Sequence, residues 1–172
     1  MSLIQDVSDA DHIQGNINAP ITLVEYGDYE CPHCGAAYPV IKQIQKKLGK
    51  QLRFVFRNFP LSNIHPSAEI AAEASEAAAA QGKFWEMHDA IYENQNSLSE
   101  EMLFDLAENF GLDMKIFKKD LETKKYKSKV RKDFMSGVKS GVNGTPTLFI
   151  NGERFDQGYD GTLLLEALKS AV

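Results

Sequence analysis

The chain contains two cysteines, Cys31 and Cys34, separated only by Pro32 and His33. So short a loop restricts the unfolded chain little, which makes the pair a poor structural staple. Two chemistries remain open to a C-x-x-C pair: dithiol–disulfide cycling, or one half of a metal site. Structural zinc usually takes four ligands, as two cysteine pairs or as one pair with closely spaced histidines. The histidines are His12, His33, His65 and His88, and none lies within a few residues of another. The missing second ligand pair favours redox chemistry, with a metal carrier as the rival.

A thiol must ionise before it can attack a disulfide. Proline is favoured at the first helical position, where its missing N–H costs nothing, so Pro32 puts Cys31 at a helix N-cap. Unpaired N–H groups and the helix dipole there stabilise negative sulfur. His33 is expected to add a donor or a partial positive charge. A stabilised Cys31 thiolate favours the reduced pair, so the disulfide should act as an oxidant. Cys34, one helical turn deeper, is expected to be the more buried thiol and to resolve a mixed disulfide formed at Cys31. Glu25 precedes the motif. On a central strand its carboxyl would be buried with a raised pKa, and it could then exchange the Cys34 proton. Asp28, Tyr29 and Glu30 are expected to rim the site, where two acids would temper the thiolate.

The elements that must position these groups are legible in outline. Ile21 to Tyr26 reads as a buried strand and Leu52 to Arg57 as a second. Pro32 to Leu48 reads as a helix with Val40, Ile41, Ile44 and Leu48 on one stripe, ended by Gly49. Residues 1–20 read as a lead-in with one edge strand. From Pro66 to Ser140 the pattern is helical. It has an alanine-rich stretch from Ile70 to Ala80 and faces marked by Phe84, Met87, His88 and Ile91, by Met102, Leu103, Leu106 and Phe110, and by Val130, Phe134 and Val138. The lysines between Lys118 and Lys132 read as the solvated side of the last of these. Trp85 and Met87 are expected in the core, and His65 and His88 as ordinary hydrogen-bonded residues. Thr147 to Ile150 is a strand, Asn151-Gly152 a hairpin turn, Glu153 to Asp156 its return, and Thr162 to Ala171 a closing helix. The order is β-α-β, a helical block, then β-β-α.

Composition excludes several classes. The 172 residues carry 19 Lys and Arg against 24 Asp and Glu, a net charge of −5. An acidic chain is a poor electrostatic match for nucleic acid or an anionic membrane surface. No apolar run approaches the ~20 residues of a membrane span, so no membrane insertion is expected. The first residues lack the apolar stretch of a signal peptide. A cytoplasmic location follows if Met1 is the native start, and a periplasmic or extracytoplasmic one if a leader has been removed.

Val24-Glu-Tyr-Gly-Asp-Tyr-Glu-Cys-Pro-His-Cys-Gly35 resembles the active-site region of DsbA-like proteins of the thioredoxin superfamily. Gly144-Thr-Pro-Thr147 resembles that family's cis-proline loop, just before a strand and an Asn-Gly turn. The resemblance covers the chain from about Gly15. It implies an α/β thioredoxin-like fold, a central mixed sheet flanked by helices. Residues 1–65 and 141–172 would form that unit and residues 66–140 an inserted all-helical domain. It implies a protein disulfide oxidoreductase with Cys31 as nucleophile, Cys34 resolving, and a buried acid at Glu25. Pro146 would be cis, with the Thr145-Pro146 backbone binding extended, cysteine-containing protein segments by strand addition. A redox partner protein or a small thiol is implied, and no cofactor. Thr145 stands where DsbA-like oxidases usually carry valine. Its hydroxyl can bond near the sulfur, which leaves reductase or isomerase activity open. A related branch that uses glutathione commonly lacks the resolving cysteine, so Cys34 speaks against it. The alternative from another class is a non-catalytic, chaperone-like binding module on the same fold.

Overall fold

A computed structural model describes all residues, 1–172. Its centre is strand β2 (Ile21–Gly27), in which every residue is buried. Apolar side chains on both faces are what a strand needs when both sides of its sheet are covered. Strand β3 (Leu52–Asn58) lies parallel to it, with Ile21 opposite Leu52 and Gly27 opposite Asn58. Strand β4 (Thr147–Ile150) lies antiparallel on its other side, with Glu25 opposite Leu148. Strands β1 (His12–Gly15) and β5 (Glu153–Phe155) complete the order β1-β3-β2-β4-β5. The β4–β5 turn is Asn151-Gly152, whose φ values of 48° and 88° are those a two-residue hairpin loop requires. The N-terminus does more than lead in. Beyond β1, Ser2 bridges to Glu153 and Leu3 N–H donates to the Gly152 carbonyl, so the outer edge of β5 is also partly covered.

Helix α1 (Pro32–Leu48) makes the parallel crossover between β2 and β3. Its buried stripe is Cys34, Ala37, Ile41, Ile44 and Leu48, so Val40 falls to the side, only half-buried. Pro39 lies inside the helix, where its ring removes one backbone hydrogen bond. Helix α7 (Gly161–Ser170) packs beside α1 and is capped by Asp160, whose Oδ1 accepts from the Thr162 and Leu163 N–H groups at 3.0 Å.

Five helices lie between β3 and β4: α2 (Ala68–Ala79), α3 (Phe84–Glu93), α4 (Glu100–Asn109), α5 (Met114–Glu122) and α6 (Lys127–Lys139). Alanine dominates α2 because that helix contacts α3, α4, α5 and α6 and buries nearly its whole circumference. One apolar core runs from the sheet and α1 through these helices, from Leu23 and Ile41 to Met87, Leu103 and Phe117.

Two expectations for this block need correction. The lysines from Lys118 to Lys132 are exposed as expected, Lys129 excepted, but they do not share one helix. They span the end of α5, a turn at Lys124 (φ 51°) and the start of α6. Lys129 is not a solvated ornament, since its Nζ lies 2.6 Å from Asp133 Oδ1. The buried face of α6 is Val130, Asp133, Ser136 and Gly137, while Val138 is 45% exposed. A polar network explains this. Asp133 Oδ2 accepts from Asn58 N–H and Nδ2–H at 3.1 and 2.9 Å. Glu76 on α2 meets Asn58 Nδ2 at 2.9 Å and His12 Nε2 at 2.8 Å. These contacts tie β1, β3, α2 and α6 through buried but paired polar groups.

Candidate active site

The turn from β2 into α1 sets the cysteines. Cys31 is the N-cap, with extended backbone (φ −69°, ψ 123°) and no side-chain cap of its own, and Pro32 opens the helix. Its carbonyl accepts from Gly35 N–H at 3.1 Å. Both thiols are free, Cys31 5% exposed and Cys34 fully buried.

The two sulfurs are held in opposite states. Cys31 is pulled down to about 5, chiefly by the hydrogen bond from the Cys34 thiol and against the cost of burial. Thr145 and the backbone N–H groups of Cys34 and His33 add to that fall. Cys34 is pushed well above an ordinary thiol by burial first, then by its bond to Cys31 and the nearby Glu25. Glu25 is 2% exposed, and its Oε1 has no hydrogen-bond partner. Burial, with Cys31 adding to it, raises that carboxyl to about 8. A lone acid on a central strand is therefore neutral at pH 7, because nothing compensates its charge.

The loop before β4 closes the site. The Thr145–Pro146 peptide bond is cis, and the Thr145 carbonyl oxygen lies 3.5 Å from Cys31 Sγ. The Thr145 hydroxyl was expected to bond near the sulfur. While Cys31 is a thiol that contact is made by the carbonyl, and Oγ1 is buried without a partner. Thr145 is nonetheless among the groups that lower Cys31.

Other expectations are met in part. His33 supplies the expected donor through its backbone N–H, which favours the thiolate, while its ring Nδ1 lies 2.9 Å from the Tyr159 hydroxyl. Asp28 and Tyr29 do not rim the site, being 1% exposed each. Glu30 is turned inward, its Oε2 accepting from Ser67 N–H at 2.6 Å. Met87 is fully buried, whereas Trp85 is half-buried and donates Nε1–H to the Ile13 carbonyl at 3.2 Å. His88 is buried among aromatic rings and is hydrogen-bonded as expected, its Nδ1 lying 2.9 Å from Asp89 Oδ1.

Gln95, which follows α3, was missed. Its Nε2 donates to the carbonyls of Tyr29 and Cys31 at 2.9 and 2.8 Å, fixing the cysteine turn from the helical side. Its amide also occupies the space a side chain at Gly35 would need. Nothing near residue 95 in the chain signals this role.

Fold and site together define a thiol–disulfide oxidoreductase fold of the DsbA type, with its two cysteines adjacent. The Thioredoxin family matches residues 7–170, and the chain belongs to that family. Among solved structures, oxidised BdbD from Bacillus subtilis is 27% identical, with TM-score 0.84 over 94% of this chain and 92% of that one. A thioredoxin-like oxidoreductase from Silicibacter pomeroyi is 25% identical, with TM-score 0.81 over 95% and 93%. Among curated relatives, proteins named Na(+)/H(+) antiporter NhaA 1 from Salinispora arenicola and Na(+)/H(+) antiporter NhaA from Herminiimonas arsenicoxydans are 42% and 41% identical over 164 and 162 residues. Those matches cover 95% and 92% of this chain but only 24% and 26% of the relatives, so the chain spans about a quarter of their length. No helix here is long and apolar enough to cross a membrane.

Proposed function

We propose that the chain exchanges disulfides with cysteine-containing protein segments through Cys31 and Cys34, running preferentially as an oxidant. The observation that carries this is the asymmetry of the pair: a sulfur lowered to about 5 beside one raised well above an ordinary thiol. A stabilised Cys31 thiolate is a good leaving group from the mixed disulfide, and its stability favours the reduced product.

The steps follow from that asymmetry. A substrate thiolate attacks Cys31 Sγ of the Cys31–Cys34 disulfide. A mixed disulfide forms, the Cys31–Cys34 bond breaks, and Cys34 leaves as a thiolate that takes a proton from neutral Glu25. A second substrate thiolate attacks the substrate sulfur of the mixed disulfide, and Cys31 leaves as the stabilised thiolate. The substrate is oxidised and the cysteine pair reduced by two electrons. A redox partner, protein or small disulfide, reoxidises the pair. Substrate segments lie extended along Thr145-Pro146, whose backbone adjoins Cys31.

The test is the ionisation of Cys31, read by thiolate absorbance against pH. A midpoint near 5 is expected, together with oxidative refolding of a reduced test protein that C31S abolishes. A midpoint near the ~8.5 of a free thiol, or refolding unaffected by C31S, would remove the proposal.

A further inference from the structure

Asp28 has no exposed side-chain surface, and both its oxygens are engaged. Oδ1 accepts from Glu30 N–H at 2.8 Å, and Oδ2 from Leu61 N–H at 2.9 Å and His65 Nδ1 at 2.7 Å. Its backbone brackets the redox pair. The Asp28 carbonyl accepts from Cys31 N–H at 3.1 Å, and the Asp28 N–H lies 3.5 Å from Cys34 Sγ. A carboxylate without exposed surface, on the turn that holds Cys31, opposes a thiolate there. Cys31 is nonetheless the acidic member of the pair.

His65 supplies the compensating charge. It is the only side chain bonded to the Asp28 carboxylate, and at 18% exposure it can still exchange protons with solvent. Its loop is fastened to the cysteine turn twice more, by Leu61 N–H to Asp28 and by Ser67 N–H to Glu30. The groups facing the imidazole are Asp28 and Glu30 on that turn and Cys31 at the helix N-cap. Burial is the largest single influence and lowers its pKa, but Asp28, Cys31 and Glu30 together outweigh it and hold His65 above an ordinary histidine.

We propose that His65 is a positioning residue for thiol–disulfide exchange: as the imidazolium partner of Asp28, it clamps the cysteine turn and cancels the buried charge that would otherwise oppose the Cys31 thiolate. This rests on the reading of Cys31 as the reactive thiolate. Deprotonation of His65 leaves Asp28 uncompensated, so the thiolate loses stability and the disulfide is a weaker oxidant than it would be with His65 still charged.

Linkage makes the effect reciprocal. If imidazolium favours the thiolate, the thiolate favours imidazolium, so His65 must titrate higher in the dithiol protein than in the disulfide protein. Imidazole NMR titration of the wild-type protein in both redox states reads this without any variant. A fall of about half a unit on oxidation is expected, or about threefold in the dissociation constant. H65Q keeps an N–H donor for Asp28 but no charge, and should raise the Cys31 pKa by a similar amount. D28N combined with H65Q should bring it back down. Equal His65 titration in the two redox states, with H65Q leaving Cys31 unmoved, overturns the proposal while the exchange chemistry stands. A wild-type Cys31 that titrates like a free thiol overturns the chemistry and the proposal together.

Discussion

At the scale of single residues, the site works by giving two like groups unlike surroundings. Cys31 has the helix terminus and a neighbouring donor; Cys34 has burial, its bond to Cys31 and a neighbouring acid, against one backbone donor from Asp28. The Cys34 thiol is the largest lowering influence on Cys31, ahead of the backbone donors. C34A should therefore raise the Cys31 pKa by more than a unit, whereas C34S, which keeps a hydroxyl donor, should leave it nearer to wild type. Thiolate absorbance in the two variants checks this. Equal values would assign the acidity of Cys31 to the helix terminus alone. The Cys31-Pro-His-Cys34 chemistry was legible in the sequence because it is local: proline and the cysteine spacing are read within one turn. The position of the His33 ring could not be read for the opposite reason. Proximity in sequence says nothing of where a ring points, and this one is held by Tyr159, 126 residues away.

At the scale of elements, strands and capped helices could be read where one physical signal dominated. β2 showed itself as an apolar run, and α1 by its proline and closing glycine. α5 was missed because lysines dilute its apolar positions Ile116, Phe117 and Leu121. Its cap was the overlooked signal: Asp113 accepts from Ile116 N–H at 3.1 Å. The contacts that hold the cysteine turn link residues far apart in the chain, 37 for Asp28–His65 and 66 for Tyr29–Gln95, and no periodicity reports them. The face of α6 shows how packing overrides propensity. Gly137 sits where a Cβ would press on the rings of Phe59 and Tyr26, at 2.8 and 2.9 Å. Alanine is the better helix former by about 1 kcal/mol, yet overpacking a filled core typically costs about 1–3 kcal/mol. Neither ring is at the end of a freely moving chain, since Tyr26 bonds Ser136 and Arg57 and Phe59 stacks on Phe134. G137A is therefore expected to lower stability, by about 1 kcal/mol net. A denaturant midpoint above wild type would show that the core yields more readily than its contacts imply.

At the scale of the whole molecule, the site couples folding to pH differently in its two redox states. Glu25 titrates near 8 when folded and near 4.5 when unfolded. Between those values the folded chain keeps a proton that the unfolded chain has released, so this group makes stability fall as pH rises. Cys31 does the reverse, titrating near 5 folded against 9.0 unfolded, and contributes stability that grows with pH over nearly the same window. In the dithiol protein the two contributions oppose each other proton for proton, and stability should be nearly flat between pH 5 and 8 as far as the site is concerned. In the disulfide protein Cys31 has no proton to exchange, and Glu25 acts alone. Its stability should fall by up to about 1.4 kcal/mol per pH unit, the slope of one proton, over a window that closes below 8 because no Cys31 thiolate helps to raise Glu25. Because the fall is confined to one redox state, the dithiol form gains on the disulfide form as pH rises, which strengthens the oxidant. E25Q removes one arm of the balance. The disulfide variant should lose its slope, and the dithiol variant should become more stable with rising pH. Denaturant unfolding of both redox forms from pH 5 to 8, wild type against E25Q, measures all four slopes. A disulfide form whose slope is the same with and without the Glu25 carboxyl would mean that this acid is already ionised in the folded protein, and the proton it is proposed to hand to Cys34 would have to come from elsewhere.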